Sequence, residues 1–164
     1  MADVSNSKLF ENNKDIQQLK DVLVVLVKTE WNSEIVDELE RGCLNVFREH
    51  NIETKTLVVP GAIEIPFAIQ QYASFHNAIS AFIALGCVVR GGTPHFEYVC
   101  QSVTQGVTQL NLSLSVPVIF GVLTVDTMEQ AKERTGGAHG HKGEEAAITA
   151  IKMMVLKKQL KASH

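Results

Sequence analysis

Short apolar runs alternate with longer amphipathic segments along this chain. Four runs are almost continuously apolar and rich in valine and isoleucine, and they cover residues 21–27, 55–59, 78–89 and 117–125. Runs of this length and composition are typical of strands that are buried on both faces of a sheet. We therefore predict four strands at these positions, each of which needs helices to cover it.

The segments between the runs carry their apolar residues at helical spacing. In residues 32–50 the apolar face consists of Val36, Leu39, Cys43, Val46 and Phe47. Charged residues occupy the other side, and residues 95–114 and 144–159 repeat the pattern. Thr127, followed three residues later by Gln130, has the form of a capping box. We predict helices over the three segments and a further one beginning after Thr127.

Strands that alternate with helices imply right-handed crossovers and one parallel sheet with helices on both faces. In such sheets ligands bind beyond the carboxyl ends of the strands. The residues at the ends of the four predicted strands are TEWN (29–32), PGAIEIP (60–66), VRGGTPH (89–95) and LTVDT (123–127). These segments are therefore expected to meet at the ligand-binding edge of the sheet.

The length of the chain and its apolar content predict a single domain. The 164 residues are 45% hydrophobic, which is enough for one core. Residues 21–164 are expected to form this domain. The polar residues 1–20 are expected to lack a core partner within the chain, and either to be flexible or to pair with a neighbouring subunit.

Charge and cysteine content narrow the class of protein. The net charge is -3 with acidic and basic residues interspersed, which disfavours nucleic acid and anionic membranes as partners. Cys43, Cys87 and Cys100 lie in apolar surroundings without a CxxC spacing, which favours reduced thiols. No run reaches the ~18 apolar residues of a membrane span, and the amino-terminal residues do not read as a signal peptide. We expect a cytoplasmic protein.

The segment RGGTPH after the third strand combines turn residues with a titratable one. Thr93 fits the N-cap of a helix and Pro94 its first position, which would place His95 in the first turn. There the positive end of the helix dipole favours the neutral imidazole, which can accept a proton near pH 7. Gly91 and Gly92 would let backbone amides approach a bound anion. The alternative is an exposed histidine on a capped helix.

Trp31 and Glu64 are the other unusual residues at this edge. The only tryptophan, Trp31, follows the first strand, where an indole can stack on a flat heteroaromatic ring. A buried core residue is the alternative. Glu64 lies in a segment pinned by Pro60, Gly61 and Pro66, where its carboxylate and the nearby amides could hold a polyhydroxyl chain. For Glu64 the alternative is an ordinary surface residue.

Arg134 and two histidines mark the glycine-rich segment near the carboxyl terminus. Arg134 precedes TGGAHGHKG, and an arginine beside an irregular loop suits bidentate phosphate binding. A solvated charge at a helix end is the alternative. His139 and His141 form an HxH without a third ligand at a recognised spacing, so we expect no metal. The chain also lacks the glycine motifs of dinucleotide-binding and P-loop proteins.

In their order and spacing, several of these segments resemble those of the 6,7-dimethyl-8-ribityllumazine synthase family. The segments are TEWN, PGAIEIP, ALGCVVRGGTPHFEYV, PVIFGVLTVDTMEQAKER and GHKGEEAA, and the resemblance extends from about residue 21 to the last helix. It implies a three-layer flavodoxin-like α/β sandwich, with a four-stranded parallel sheet flanked by helices on both faces. It also implies condensation of 5-amino-6-(D-ribitylamino)uracil with 3,4-dihydroxy-2-butanone 4-phosphate to 6,7-dimethyl-8-ribityllumazine. This reaction releases phosphate and water and is the penultimate step of riboflavin biosynthesis.

The same resemblance implies roles for individual residues. His95 would donate and accept protons, and Trp31 would stack on the pyrimidine. The uracil and its ribityl chain would be held by Ala62, Ile63, Glu64, Cys87, Val88, Val89 and, from the adjacent subunit, Phe120. The phosphate would be bound by Gly92, Thr93, Arg134 and Lys142. No cofactor or metal is implied. The implied partners are copies of the chain, in a homopentamer or an icosahedral shell of pentamers, and riboflavin synthase.

Two other classes of function fit parts of the pattern. A flavin-binding or sequestering protein on the same scaffold would use Trp31 but would leave His95 and Arg134 unexplained. A mainly structural, shell-forming subunit would assemble without turnover. We favour the transferase, and incubation with both substrates separates it from either alternative.

Overall fold

Strands and helices alternate along the chain in the order that the sequence predicts. The computed structural model describes residues 8–9 and 19–162. In chain order the elements are β1 (Leu23–Thr29), α1 (Ser33–Glu49), β2 (Glu53–Val59), a 3-10 turn (Ala62–Glu64), α2 (Ile65–Phe75), β3 (Ala81–Val89), α3 (His95–Ser113), β4 (Val118–Val125), α4 (Met128–Lys132), β5 (Thr135–Gly137), β6 (Gly140–His141) and α5 (Lys142–Ala162). The four predicted strands correspond to β1 to β4.

β1 to β4 form one parallel sheet with the order β2-β1-β3-β4. In its register, Val27 of β1 pairs with Leu57 of β2 and with Ala84 of β3. The strand that follows β1 in the chain, β2, lies on one side of β1 in the sheet, and the next strand, β3, lies on its other side. The boundary between β1 and β3 is therefore the topological switch point of a flavodoxin-like sheet. The predicted fold class is confirmed.

Apolar side chains fill both sides of this sheet. Val24 and Leu26 belong to a cluster covered by α1 and α5, whereas Val25 and Val27 belong to a cluster covered by α2 and α3. All four side chains are completely buried. Because successive residues of a strand point to opposite faces, one short apolar run supplies both cores. The result is a sandwich of helices, sheet and helices.

Two elements were missed by the sequence pattern, α2 and the β5–β6 hairpin. The buried residues of α2 are Ile65 and Ile69, so its apolar periodicity is weak. Pro66 lies in its first turn, where the missing N–H costs no hydrogen bond. In the hairpin, Gly136 has φ of 109° and Gly140 has φ of 74°, a conformation that glycine adopts readily. Glycines that interrupt a helical pattern here form a turn of defined shape.

The start of α4 agrees with the predicted capping pattern, with one difference. Thr127 Oγ1 accepts a hydrogen bond from the backbone N–H of Gln130 at 3.3 Å. The Gln130 side chain reaches back to the N–H of Asp126, at 2.8 Å, instead of to that of Thr127. Two backbone N–H groups near the helix start are thereby satisfied.

The described amino-terminal residues contact the rest of the chain. Leu9 is partly buried against the cluster covered by α1 and α5, and the Lys152 ammonium donates to the carbonyl of Lys8 at 3.2 Å. The expectation that residues 1–20 lack a core partner within the chain is therefore wrong at Leu9. Most of that stretch, 1–7 and 10–18, lies outside the described residues.

The three cysteines are free thiols. Cys43 and Cys87 are buried, and Cys100 is half-buried. Burial raises the pKa of the Cys43 thiol, so it stays neutral in the core.

None of the helices within residues 8–9 and 19–162 is both long enough and apolar enough to cross a membrane.

Candidate active site

A cleft of about 380 Å³ opens at the carboxyl ends of β1 and β3, at the topological switch point. Its volume is in the range of small-molecule sites. Its walls are Thr29, Trp31, Asn32, Gly61, Ala62, Ile63, Glu64, Cys87, Val88, Val89, His95 and Val99. The structure therefore brings His95 together with the residues predicted for the uracil substrate, apart from Phe120.

Trp31 is exposed at this cleft and is not part of the core. The residue is 73% exposed, so the core alternative is wrong. Its backbone is fixed on both sides, because its N–H donates to the carbonyl of Pro60 at 3.3 Å and its carbonyl accepts from the Thr29 hydroxyl at 3.1 Å. An exposed indole on a fixed backbone can offer one face to a flat ligand ring.

Asn32 connects the loop after β1 to β3. It has φ of 57° and ψ of 43°, a left-handed conformation that asparagine adopts more easily than most residues. Its side-chain amide donates to the carbonyl of Cys87 at 2.8 Å. This bond fixes the residue next to Trp31 across the switch point. Sequence reasoning assigned Asn32 no role, although an asparagine directly after a strand is a signal for such a turn.

Glu64 and Trp31 approach each other at Gly61. A Cβ atom on Gly61 would lie 3.0 Å from Glu64 Oε2 and 3.6 Å from Trp31 Cδ1. The missing side chain therefore leaves room for the carboxylate and the indole at one wall of the cleft. The Glu64 N–H donates to the Gly61 carbonyl at 3.2 Å, which closes the 3-10 turn. Glu64 is exposed, and its carboxylate can accept hydrogen bonds from ligand hydroxyl groups.

The end of β3 supplies an apolar wall. Cys87 is buried, and Val88 and Val89 are half-buried. Burial raises the pKa of the Cys87 thiol to about 11. The thiol is therefore neutral near pH 7, and it contributes packing instead of a nucleophile.

His95 is the first residue of α3 and lies between two hollows. Its side chain lines the cleft and also a second, wider hollow of about 650 Å³ that passes Tyr98. The predicted helix start is wrong by one residue, because Pro94 precedes α3 and no side-chain hydrogen bond caps it. Thr93 is therefore not a capping residue. With ψ near 0°, Pro94 instead opens a tight turn, in which its carbonyl accepts the N–H of Glu97 at 3.1 Å.

The turn lacks a side-chain cap, and Arg90 holds it through contacts with three neighbouring side chains. Arg90 Nε donates to Asp126 Oδ1 at 2.7 Å, and Arg90 Nη1 donates to Glu97. The Arg90 guanidinium also lies 4.1 Å from the centroid of the Phe96 ring. The hydrogen bond from Arg90 holds the pKa of Glu97 below its usual range. Arg90, to which sequence reasoning assigned no role, thus connects the ends of β3 and β4 to the turn that carries His95.

Comparison with known proteins identifies the family. Residues 21–158 match the family model described as 6,7-dimethyl-8-ribityllumazine synthase. The chain is 49% identical to the protein of that name from Porphyromonas gingivalis over 142 residues, which cover 85% of this chain and 88% of the relative. The chain belongs to the 6,7-dimethyl-8-ribityllumazine synthase family. Proteins of the same name from Cytophaga hutchinsonii and Christiangramia forsetii are 40% and 38% identical, over 92% and 98% of this chain and 96% and 98% of theirs.

The resemblance connects Gly92 and Thr93 with phosphate, and Gly91 directly precedes them. Gly92 and Thr93 are exposed just before His95. A Cβ atom on Gly91 or Gly92 would meet nothing within 4 Å, and neither residue is among those with positive φ. The described fold therefore does not itself require glycine here. The space beside these backbone amides is open to a ligand.

Arg134 follows α4 and leads directly into β5. Its N–H donates to the carbonyl of Ala131 at 3.0 Å, and its Nη1 donates to the carbonyl of Gln130 at 2.8 Å. The side chain does not line the cleft. Since a guanidinium carries five N–H donors, the bond to Gln130 leaves others for an anion.

Lys142 and Phe120 do not line the cleft. The Lys142 side chain is 1% exposed, and its ammonium donates to both carboxylate oxygens of Glu145, at 2.7 and 2.9 Å. The expectation that Lys142 adds a cation at the phosphate is not met, because a buried ion pair withdraws the ammonium from solvent. Phe120 packs against the cluster covered by α2 and α3. Its contact with a neighbouring subunit's site stays a prediction.

The two histidines of the HxH segment have separate surroundings. His139 Nε2 lies 3.7 Å from Glu133 Oε2, whereas the His141 ring is pressed against α1 at Gly42. Over the described parts of the chain, no group of three or more His, Cys, Asp or Glu side chains is arranged to hold a metal ion.

Proposed function

We propose that this chain catalyses the condensation of 5-amino-6-(D-ribitylamino)uracil with 3,4-dihydroxy-2-butanone 4-phosphate to 6,7-dimethyl-8-ribityllumazine. The observation that carries the proposal is the meeting of Trp31, Glu64 and His95 at one cleft, in a chain that belongs to this family. An aromatic face, a hydrogen-bond acceptor and a proton carrier suit a flat amine substrate with a polyhydroxyl chain.

The uracil substrate occupies the side of the cleft formed by β1, the 3-10 turn and β3 in this proposal. Trp31 stacks on the pyrimidine, and Glu64 accepts hydrogen bonds from the ribityl hydroxyls. The remaining contacts come from Ala62, Ile63, Cys87, Val88 and Val89, and from Phe120 of the adjacent subunit. The closeness of the indole and the carboxylate at Gly61 supports this placement, because one ligand can touch both.

The butanone phosphate binds toward the start of α3 in this proposal. Its phosphate accepts hydrogen bonds from the backbone at Gly92 and Thr93 and from the Arg134 guanidinium. The open space beside Gly91 and Gly92 supports this assignment. We assign no phosphate contact to Lys142, which is bound to Glu145.

The reaction needs few catalytic groups, because the substrate amine is itself the nucleophile. The amine attacks the ketone, loss of one water gives an imine, elimination of phosphate follows, and ring closure by the ribitylamino nitrogen releases a second water. His95 accepts and returns protons in these steps, which typically contributes about 10²- to 10⁴-fold in rate. Holding the two substrates side by side contributes up to roughly 7 to 11 kcal/mol in well-oriented cases.

The test is incubation of the purified protein with both substrates, with lumazine absorbance and inorganic phosphate measured in parallel. We expect the two products to appear in equal amounts and to require both substrates. The flavin-binding alternative, which the family relationship does not favour, predicts flavin binding without turnover. Absence of lumazine from a folded preparation would contradict the proposal.

We also infer that the chain works as a homo-oligomer, and the family resemblance implies at least five copies. Large apolar side chains are exposed on the single chain, among them Val58, Phe67, Phe75, Tyr98 and Leu112. Such surface is unfavourable in water and suits contact with a second copy. Sedimentation of the active protein should show a pentamer or a larger particle. An active monomer would contradict this inference.

The finer features of the assembly rest on the family resemblance. The length of RTGGAHGHKG favours an icosahedral shell of pentamers over a free pentamer, and light scattering distinguishes the two. An association with riboflavin synthase would appear as co-sedimentation of the two proteins. The free thiols support a cytoplasmic location, since reduced cysteines are usual there.

A further inference from the structure

The β5–β6 hairpin joins Arg134 to the start of α5. Thr135, the residue after Arg134, pairs with His141 across the hairpin. The N–H of Lys142 donates to the carbonyl of Arg134 at 2.8 Å. The backbone of Arg134 is therefore held directly beside His141 and Lys142, and any displacement of this strand displaces Arg134 as well.

The His141 ring is inserted against α1 at Gly42. A Cβ atom on Gly42 would lie 2.2 Å from His141 Cε1 and 2.5 Å from its Nδ1, distances at which atoms overlap. The ring fits only because position 42 carries no side chain. Gly42 and His141 are thus complementary in shape, one on α1 and the other on the hairpin.

No polar contact accounts for the position of this ring. Both ring nitrogens are buried, and within residues 8–9 and 19–162 neither has a hydrogen-bonding partner. Burying unpaired nitrogens is unfavourable, and most buried polar atoms in proteins are paired. Packing against Gly42 is therefore the tightest contact of the ring at a glycine, since a Cβ atom on Gly136 would lie 3.7 Å from His141 Cδ2.

A second close contact holds the next residues against α1. A Cβ atom on Gly143 would lie 2.0 Å from the carbonyl oxygen of Leu39, and the Cys43 thiol donates to the Gly143 carbonyl at 3.1 Å. The start of α5 is therefore packed directly on α1. His141 extends this contact from α5 to the hairpin, two residues closer to Arg134.

We propose that His141 is a positioning residue for the phosphate substrate. Its ring, seated on Gly42, fixes the hairpin and hence Arg134 relative to α1 and the sheet. The proposal rests on the proposed function, in which Arg134 binds the phosphate. A guanidinium recognises phosphate through a planar fork of donors, so a small displacement of its backbone weakens the interaction.

The test perturbs the same contact from both sides, with the full chain and both substrates. Gly42→Ala places a methyl group where the ring lies, and His141→Ala removes the ring. Each should raise the KM for the butanone phosphate at least about threefold, but by less than the ten- to hundredfold expected for losing a charge-assisted bond altogether. The kcat and the Kd of the uracil substrate should stay within about twofold, because Trp31 and Glu64 do not depend on the hairpin.

The double variant decides between positioning and general loss of structure. Once the ring is absent, the methyl group of Gly42→Ala has space, so Gly42→Ala/His141→Ala should have the same KM as His141→Ala alone. Additive increases would overturn the proposal. If Gly42→Ala does not fold, His141→Ala still tests it, since an unchanged phosphate KM in that variant would also overturn the proposal.

Arg134→Ala separates failure of this inference from failure of the proposed function. A raised phosphate KM in Arg134→Ala together with an unchanged KM in His141→Ala would overturn only the positioning role. An unchanged KM in Arg134→Ala would remove Arg134 from the phosphate site, and the role of His141 would be wrong with it.

Discussion

The exposure of Trp31 predicts that its removal weakens ligand binding and hardly affects folding. Trp31→Ala deletes the whole indole, while Trp31→Phe keeps an aromatic face and serves as the matched control. A tryptophan of the core and a tryptophan of a binding site respond to these substitutions in opposite ways. The pair of variants therefore tests the site directly.

The expected magnitudes follow from the exposed fraction. Replacing a fully buried tryptophan by alanine costs roughly 3 to 5 kcal/mol. Trp31 is 73% exposed, so only about a quarter of that packing is at stake, which is about 1 kcal/mol. Stacking of a base on an aromatic side chain is worth roughly 1 to 3 kcal/mol, or about five- to a hundred-and-fifty-fold in affinity.

Two measurements check the prediction. Calorimetric titration with the uracil substrate alone should show this loss of affinity in Trp31→Ala and a much smaller loss in Trp31→Phe. Denaturant unfolding should show the two variants within about 1 kcal/mol of the parent chain. A loss of 3 kcal/mol or more in stability, with unchanged affinity for the substrate, would refute the reasoning.

Four further predictions follow from other residues of the site. His95→Gln should lower kcat about a hundredfold or more while leaving the Kd of the uracil substrate unchanged, and an unchanged kcat would remove His95 from its role. Arg134→Ala should raise the KM for the butanone phosphate about ten- to a hundredfold with little change in the KM for the uracil substrate. The reverse pattern would mean that the positions assigned to the two substrates are wrong. Asn32→Gly loses only the bond to β3, whereas Asn32→Ala must also adopt the left-handed conformation. The alanine variant should therefore be about 1 to 2 kcal/mol less stable than the glycine variant in denaturant unfolding, and equal stabilities would speak against the backbone argument. Cys87, with its pKa raised to about 11, should react slowly with iodoacetamide at pH 8 and faster as the pH rises toward 11, because only the thiolate reacts. The uracil substrate should protect it, as mass spectrometry can show, and fast labelling at pH 8 would contradict the burial of the thiol.

The sheet could be predicted because its signal is local and strong. Each residue from Val24 to Val27 is completely buried, so β1 is apolar throughout and stands out against the amphipathic segments. The location of the site followed from the sheet, since parallel strands bring their carboxyl ends to one edge. That Trp31 and Glu64 meet there required no knowledge of side-chain positions.

The remaining features depend on packing that the sequence pattern does not contain. The buried Lys142 ammonium is paired with Glu145, one turn along α5, and the spacing alone does not show that this pair is buried. The insertion of His141 depends on a glycine on another helix. The turn before His95 is held by Arg90, whose partners Glu97 and Asp126 are 7 and 36 positions away in the chain. Residue type alone does not distinguish these outcomes.

The bond between Asn32 and Cys87 spans 55 positions of the chain, and the other walls of the cleft come from two further segments. No short fragment contains this site, so a ligand of the cleft binds the folded chain and not the unfolded one. Ligand concentration therefore adds to the free energy of unfolding, by about 2.7 kcal/mol at a hundred times the Kd. Within a cell, the supply of substrate would then govern how long this protein resists unfolding and proteolysis.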